Sequence, residues 1–183
     1  AINYHLQGNI QEASKSYQYC INKGFNDHRI FSNYGAILQA IGNLKEAEIS
    51  TRKAIQLNPD FANAHYNLGN ILKDIGSLKE AELYTRKAIK INPNLVEAHS
   101  NLGSILKDLG NLEEAESSTR KAIKLNPNSA NNHYRLSKIL TEMKNFTQAS
   151  VAIEKAIKLD PSNHIYKGEL SRINFIKEDI DEA

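Results

Sequence analysis

Between Ala62 and Ile75 the apolar side chains Ala64, Leu68, Ile71, Leu72 and Ile75 recur at helical spacing, which predicts a helix with one buried face. Gly76 stops it, because a residue without Cβ takes the left-handed conformation of a helix end cheaply. A second apolar set, Leu78, Ala81, Ala88, Ile89 and Ile91, predicts a second helix, and Asn92-Pro93 ends it because the residue before proline is pushed out of the α region. Ser77 at its start, with Glu80 three residues on, reads as a capping box, as do Asn43 with Glu46 and Asn111 with Glu114. Glu82 stands four residues before Arg86 in the order that favours a surface pair, as Glu48 stands before Arg52 and Glu116 before Arg120.

The helix pair is repeated. LGNILKDIGSLKEAELYTRKAIKINPN, which begins at Leu68, returns 34 residues later as LGSILKDLGNLEEAESSTRKAIKLNPN. A period in this range predicts an all-α solenoid of stacked units, each burying its apolar face only against its neighbours. In the 34-residue frame full repeats occupy 28–61, 62–95, 96–129 and 130–163 of a single solenoid spanning 1–183. Residues 1–27 read as the end of an earlier repeat, since Gly8-Asn9-Ile10 matches Gly42-Asn43-Leu44; residues 164–183 read as the start of another repeat or a terminal helix. Both ends fall inside repeats, so the chain is expected to be a piece of a longer array. Small residues at Gly69, Ala81 and Ala88, and at Gly103, Ala115 and Ala122, let helix axes approach closely, and larger side chains there would overpack the seam by roughly 1–3 kcal/mol. The repeat 130–163 drifts, with Ser137 in the Gly place, Lys144 in the stop place and Phe146 in place of Leu.

The spacing Leu-Gly, then Leu, then Gly-x-Leu-x-x-Ala, then Ala and finally Pro resembles the tetratricopeptide repeat, and the resemblance covers the whole chain. Two positions depart from it. Phe31, His65, His99 and His133 replace the usual aromatic of the first helix, and Thr51, Thr85 and Thr119 replace the usual large residue of the second, which predicts a lighter core there. The regular wording further resembles bacterial arrays, cyanobacterial ones included, and the array preceding the catalytic domain of O-linked N-acetylglucosamine transferase. The resemblance implies a right-handed superhelix of antiparallel helix pairs whose concave wall is made of first helices. On that wall it points to Asn33, Tyr66, Asn67, Asn70, Asn101, Ser104, Arg135 and Lys138 as a peptide-binding set. Asn33, Asn67 and Asn101 form a repeated asparagine ladder, similar to the one by which the transferase array holds extended peptides. An amide both donates and accepts, so such a row can pair with the backbone of an extended ligand. The plainer alternative is a solvated Asn copied by duplication. Arrays that grip the carboxylates of chaperone C-termini use a five-residue clamp; Asn70, Asn101 and Arg135 match it, whereas Tyr66 and Asn131 occupy the two Lys places. An acidic or C-terminal peptide docking at Arg135 and Lys138 is a further expectation.

Composition suits a soluble helical domain, with 40% apolar and 24% charged residues and no apolar run long enough to insert in a membrane. The net charge of +2 provides no strong electrostatic reason to expect nucleic acid. The one cysteine, Cys20, sits where later repeats have Ala54, Ala88 and Ala122; it reads as a small buried residue and excludes an internal disulfide. The periodic histidines lie on units about 8–10 Å apart, too far for shared metal bonds of about 2 Å. They read as packing groups. No catalytic constellation or phosphate loop is visible, and no cofactor is expected. The expected function is a non-catalytic scaffold for a protein or peptide partner. The alternatives are a substrate-recruiting array of a larger transferase and, less favoured, an RNA-binding helical-repeat array. Leu170, Ile173, Phe175, Ile176 and Ile180 lie in the last segment, without the second helix that would cover them, so end-to-end self-association is expected. No compartment is written in the sequence, with the cytoplasm favoured.

Overall fold

A computed structural model describes residues 9–181, with side chains through residue 179. Among the described residues there are ten α-helices and no strand: α1 (Ile10–Asn22), α2 (His28–Ala40), α3 (Leu44–Leu57), α4 (Ala62–Ile75), α5 (Leu78–Ile91), α6 (Val96–Asp108), α7 (Leu112–Leu125), α8 (Ala130–Glu142), α9 (Phe146–Leu159) and α10 (His164–Asp181). The match at Gly8 lies outside the described residues. The helices form two compact units, one reaching Ala98 and the other beginning at His99. Within each, consecutive helices joined by short turns pack antiparallel, α2 on α3 and α4 on α5 in the first, α8 on α9 in the second.

Each first helix closes with one backbone device. The Gly76 N–H donates to Lys73 O (2.9 Å) and the Ser77 N–H to Leu72 O (2.8 Å), a Schellman closure around a glycine at φ +91°. The same pair of bonds recurs at Gly42 and Gly110. In the drifting repeat Lys144 makes it at φ +59°, the non-glycine residue of positive φ among those described, with Asn145 N–H on Leu140 O at 2.8 Å. The turn is therefore dictated by the packing of α8 against α9 rather than by glycine, and a Cβ is carried in a conformation that costs about 1–2 kcal/mol.

The expected capping boxes do not form. Ser77, Asn43 and Asn111 are N-caps, but none accepts a bond through its side chain. The Schellman closure has already used the Ser77 N–H, so Glu80 has nothing to reach back to. Ser77 instead adopts φ −80°, ψ 62°, an inverse γ-turn in which the Leu78 N–H donates to Gly76 O at 2.9 Å. Side-chain caps appear at Asp27 on Arg29 N (2.8 Å) and Ser129 on Asn132 N (3.4 Å), where that device is absent, and also at Asn145 on Gln148 N (3.3 Å), after the Lys144 closure.

The lighter core is a matched pair. Thr51, Thr85 and Thr119 are fully buried and face Gly35, Gly69 and Gly103, where an added Cβ would overlap the threonine hydroxyl. Thr51 and Thr85 satisfy that hydroxyl on the carbonyls of Ala47 and Ala81, both at 2.8 Å. In the drifting repeat the pair becomes Ser137 and Ile153, with the Ser137 hydroxyl turned onto Tyr134 O at 2.8 Å.

The second unit's core is Leu136, Leu140, Ala149, Ala152, Ile153, Ala156, Tyr166 and Ile173. Ile173 is fully buried, which corrects its expected exposure: α10 lies on α9 and presents Leu170 and Ile173 to the core. The outer face of α10 does carry Ile165 and Phe175, 65% and 70% exposed, while the Ile180 side chain lies outside the described ones. Cys20 is half-buried, unlike the fully buried alanines at its equivalent positions.

Candidate peptide-binding surface

Six of the eight expected binding residues line one of two grooves, one in each unit. In the first, Asn33, Ala36, Asn63, Tyr66, Asn67, Leu95 and Glu97 line a groove of about 390 Å³. Residues 33 and 36 come from α2 and residues 63, 66 and 67 from α4, because a 34-residue period returns the same helix face to the neighbouring helix. Asn67 is not a plain surface amide. Its Nδ2 donates to Ser32 Oγ (3.0 Å) and toward Ser32 O (3.4 Å), joining α4 to α2. Asn33 faces the Tyr17 phenol, whose pKa is pushed up by burial and eased down by that amide.

The second groove, about 180 Å³, is lined by Ser104, Lys107, Asn131, Tyr134, Arg135, Lys138 and Ile139. Lys107 is held by Asp108 (3.0 Å) and Glu142 (3.3 Å). Burial alone would lower its pKa; its hydrogen bonds and charge contacts with those two acids outweigh that and raise it. Arg135 has no ion pair among the described residues, and its buried Nε lacks an acceptor. Lys138 lies over the Tyr134 ring, 5.8 Å from its centroid. This groove therefore offers unneutralised cation and a buried donor. Asn70 and Asn101 line neither groove, and Asn101 is buried at 8% exposure.

The histidines tie turns to helices. His65 Nε2 donates to Pro59 O (2.8 Å) and His133 Nε2 to Pro127 O (3.0 Å), since a carbonyl can only accept. No group of three or more His, Cys, Asp or Glu is placed to hold a metal among the described residues, and no helix there is long and apolar enough to cross a membrane.

Three family models match the chain, two described as "Tetratricopeptide repeat", one over 62–95 and 96–129 and the other over 130–163, and one as "TPR repeat" over 35–76. Together they run unbroken over residues 35–163, more than two thirds of the chain. The chain belongs to the tetratricopeptide repeat family. No curated protein matches it. Among solved structures it is similar to MamA from Desulfovibrio magneticus RS-1, with 22% identity, a TM-score of 0.76, and 88% of this chain and 91% of that one covered. It is similar to PilF of Pseudomonas aeruginosa at 18% identity and TM-score 0.83, covering 98% and 82%. A chain of the APC/C hetero-tetramer Cut9–Hcn1 matches at 16% identity and TM-score 0.87, where 93% of this chain covers 34% of that one. At such identities these likenesses show the fold alone, an all-helical tetratricopeptide solenoid fold.

The second helices of these tetratricopeptide repeats hold contacts that the sequence reading missed. The expected pairs within helices are present, Arg52 on Glu48 at 2.8 Å, Arg86 on Glu82 at 2.8 Å and Arg120 on Glu116 at 2.7 Å. Arg52 also reaches the next second helix, donating to Glu80 (2.6 Å) and to the Tyr84 hydroxyl (2.9 Å), and Arg120 reaches Gln148 (2.8 Å) in the same way. Burial would lower the Arg52 pKa, but its bonds to Glu80 and Glu48 outweigh that and raise it. The 28-residue interval from Arg52 to Glu80 was the available signal, hidden because Glu80 also fits a capping box.

Proposed function

We propose that this chain is a non-catalytic scaffold that binds an extended segment of a protein partner on the surface of its first helices. Tetratricopeptide arrays are protein-binding scaffolds in general, and the observation that carries the finer reading is Arg135: a cation without an acid partner, with a buried Nε lacking an acceptor, beside Lys138 in a groove. An unsatisfied buried donor costs about 1–3 kcal/mol, which a ligand carboxylate or carbonyl would recover. In the first unit Asn33, Asn67 and Tyr66 supply a neutral groove suited to peptide backbone, with the Asn67 oxygen still available after its N–H has gone to Ser32. Nothing favours a substrate-recruiting array of a transferase over this reading. The exposed Ile165 and Phe175 on α10 support self-association as a second, weaker contact.

The test is isothermal titration of the full chain with an extended peptide of alternating Glu and Thr ending in a free carboxylate. Arg135→Ala is expected to weaken binding at least tenfold and Asn33→Ala with Asn67→Ala at least threefold. Unchanged affinity in both variants would overturn the proposal.

A further inference from the structure

A groove of about 590 Å³ in the second unit lies between α7, α8 and α9, lined by other residues than the groove at Arg135 and Lys138. Its floor is apolar, Ile123, Leu136, Leu140 and Ala152, and Arg120, Lys124, His133 and Lys155 stand around it. Two repeats earlier the equivalent place is filled. A shift of 68 positions carries Arg120 to Arg52, His133 to His65, Lys155 to Lys87 and Ala152 to Tyr84. There the Tyr84 ring stacks on His65 (5.9 Å, 22°), carries the Arg52 guanidinium at 5.3 Å and the Lys87 ammonium at 4.8 Å, and accepts a hydrogen bond from Arg52 at its hydroxyl, 2.9 Å. All three groups that clasp the tyrosine are kept in the second unit, and only the ring is replaced by a methyl group.

The charge around the two places also differs. Arg52 lies between two carboxylates, Glu48 and Glu80, whereas Arg120 has one, Glu116, because Gln148 stands in the place of Glu80. Lys124 and Lys155 make no ion pair among the described residues. The groove thus pairs an aromatic-sized apolar floor with uncompensated positive charge at its mouth.

We propose that this groove is a docking socket for a tyrosine side chain on an acidic segment of a partner protein. The ring would stack on His133 beneath Arg120 and Lys155, the phenol oxygen would accept from Arg120, and carboxylates flanking the tyrosine would meet Lys124 and Lys155. Ring stacking and cation–π contacts each contribute modestly, and their convergence on one ring provides the selectivity.

The experiment is an NMR titration of the isotope-labelled full chain with the blocked peptide Glu-Glu-Tyr-Glu-Glu and with its Tyr→Ala counterpart. The amides of Ile123, Val151, Ala152 and Lys155 are expected to shift saturably with the tyrosine peptide, and at least tenfold more weakly with the alanine one. Ala152→Tyr, which supplies the ring from within, is expected to abolish those shifts and raise the melting temperature. Arg120→Gln removes the guanidinium but keeps a polar, uncharged side chain and is expected to weaken binding at least fivefold, so the result does not depend on the folding of one variant. The proposal is overturned by no shift at these amides up to millimolar peptide, by equal binding of the alanine peptide, or by undiminished binding to both variants. Shifts confined to Ser104, Arg135 and Lys138 would overturn it too, and would place the peptide on the first-helix groove.

Discussion

The Cα of Gly69 packs against the hydroxyl of Thr85, which is itself anchored on Ala81 O at 2.8 Å. The glycine hydrogen on one helix and the threonine branch on the next set how closely α4 and α5 approach. On an exposed helix Gly→Ala stabilises by about 0.5–1 kcal/mol, so the sign of the substitution here tests the contact. Gly69→Ala is expected to destabilise by about 1–3 kcal/mol in urea denaturation, through overlap with Thr85. In a Thr85→Ala background the same change should cost markedly less, and a double-mutant cycle without coupling would sink the account.

Lys144 closes α8 at φ +59° with the same bonds that Gly76 makes at φ +91°. Lys144→Gly relieves the Cβ strain and is expected to stabilise by about 1 kcal/mol, visible as a higher urea midpoint with an unchanged slope. A loss of stability would show that the turn, not the glycine, is the preferred state.

Asp27 caps α2 and grips Arg29 at 2.6 Å. The Arg29 side chain, then its backbone N–H, hold the Asp27 pKa down at about 2 against 3.8 ordinarily. A depressed folded pKa contributes stability that is fully present above about 4 and is lost as pH falls through about 2. The site is solvent-screened, so the loss should stay under about 1 kcal/mol. Asp27→Asn retains the cap and is expected to flatten the stability curve between about pH 4 and 2; an unchanged acid limb in urea melts would count against the Arg29 pair.

Asn67→Ala is expected to cost about 0.5–1.5 kcal/mol, because it removes the bond to Ser32 that joins two repeats. Asn33→Ala should cost less. Equal, negligible losses in thermal melts would show that the Asn67 amide is a purely solvated group.

Ile173 and Phe175 are two residues apart on α10 and have opposite fates, buried and 70% exposed. Ile173→Ser is expected to destabilise the second unit by about 2–4 kcal/mol, whereas Phe175→Ser should leave the melt unchanged and reduce any concentration-dependent association seen by sedimentation. A Phe175→Ser protein that associates like the parent would move the self-contact elsewhere.

The sequence by itself determined the helices and their stops. Gly76 and Asn92-Pro93 act through local backbone preferences, and the recurrence of Leu68, Ile71 and Leu72 at helical spacing needs nothing but helix geometry to read. It also put Asn33, Tyr66, Arg135 and Lys138 on first helices, because a period of 34 returns the same places to the same helix of each repeat. Only the tertiary structure decided how each polar group is used. Glu80 was read as a cap partner because local spacing permits it, but a backbone N–H donates once effectively, and Leu72 O had claimed that of Ser77. Glu80 then served Arg52 across the repeat seam. Thr85 looked like a missing large residue until Gly69 was seen facing it, and Ile173 looked exposed until α10 lay on α9. Competition for a donor, and the identity of the neighbour across a seam, depend on atoms distant in sequence, which periodicity can locate but cannot pair.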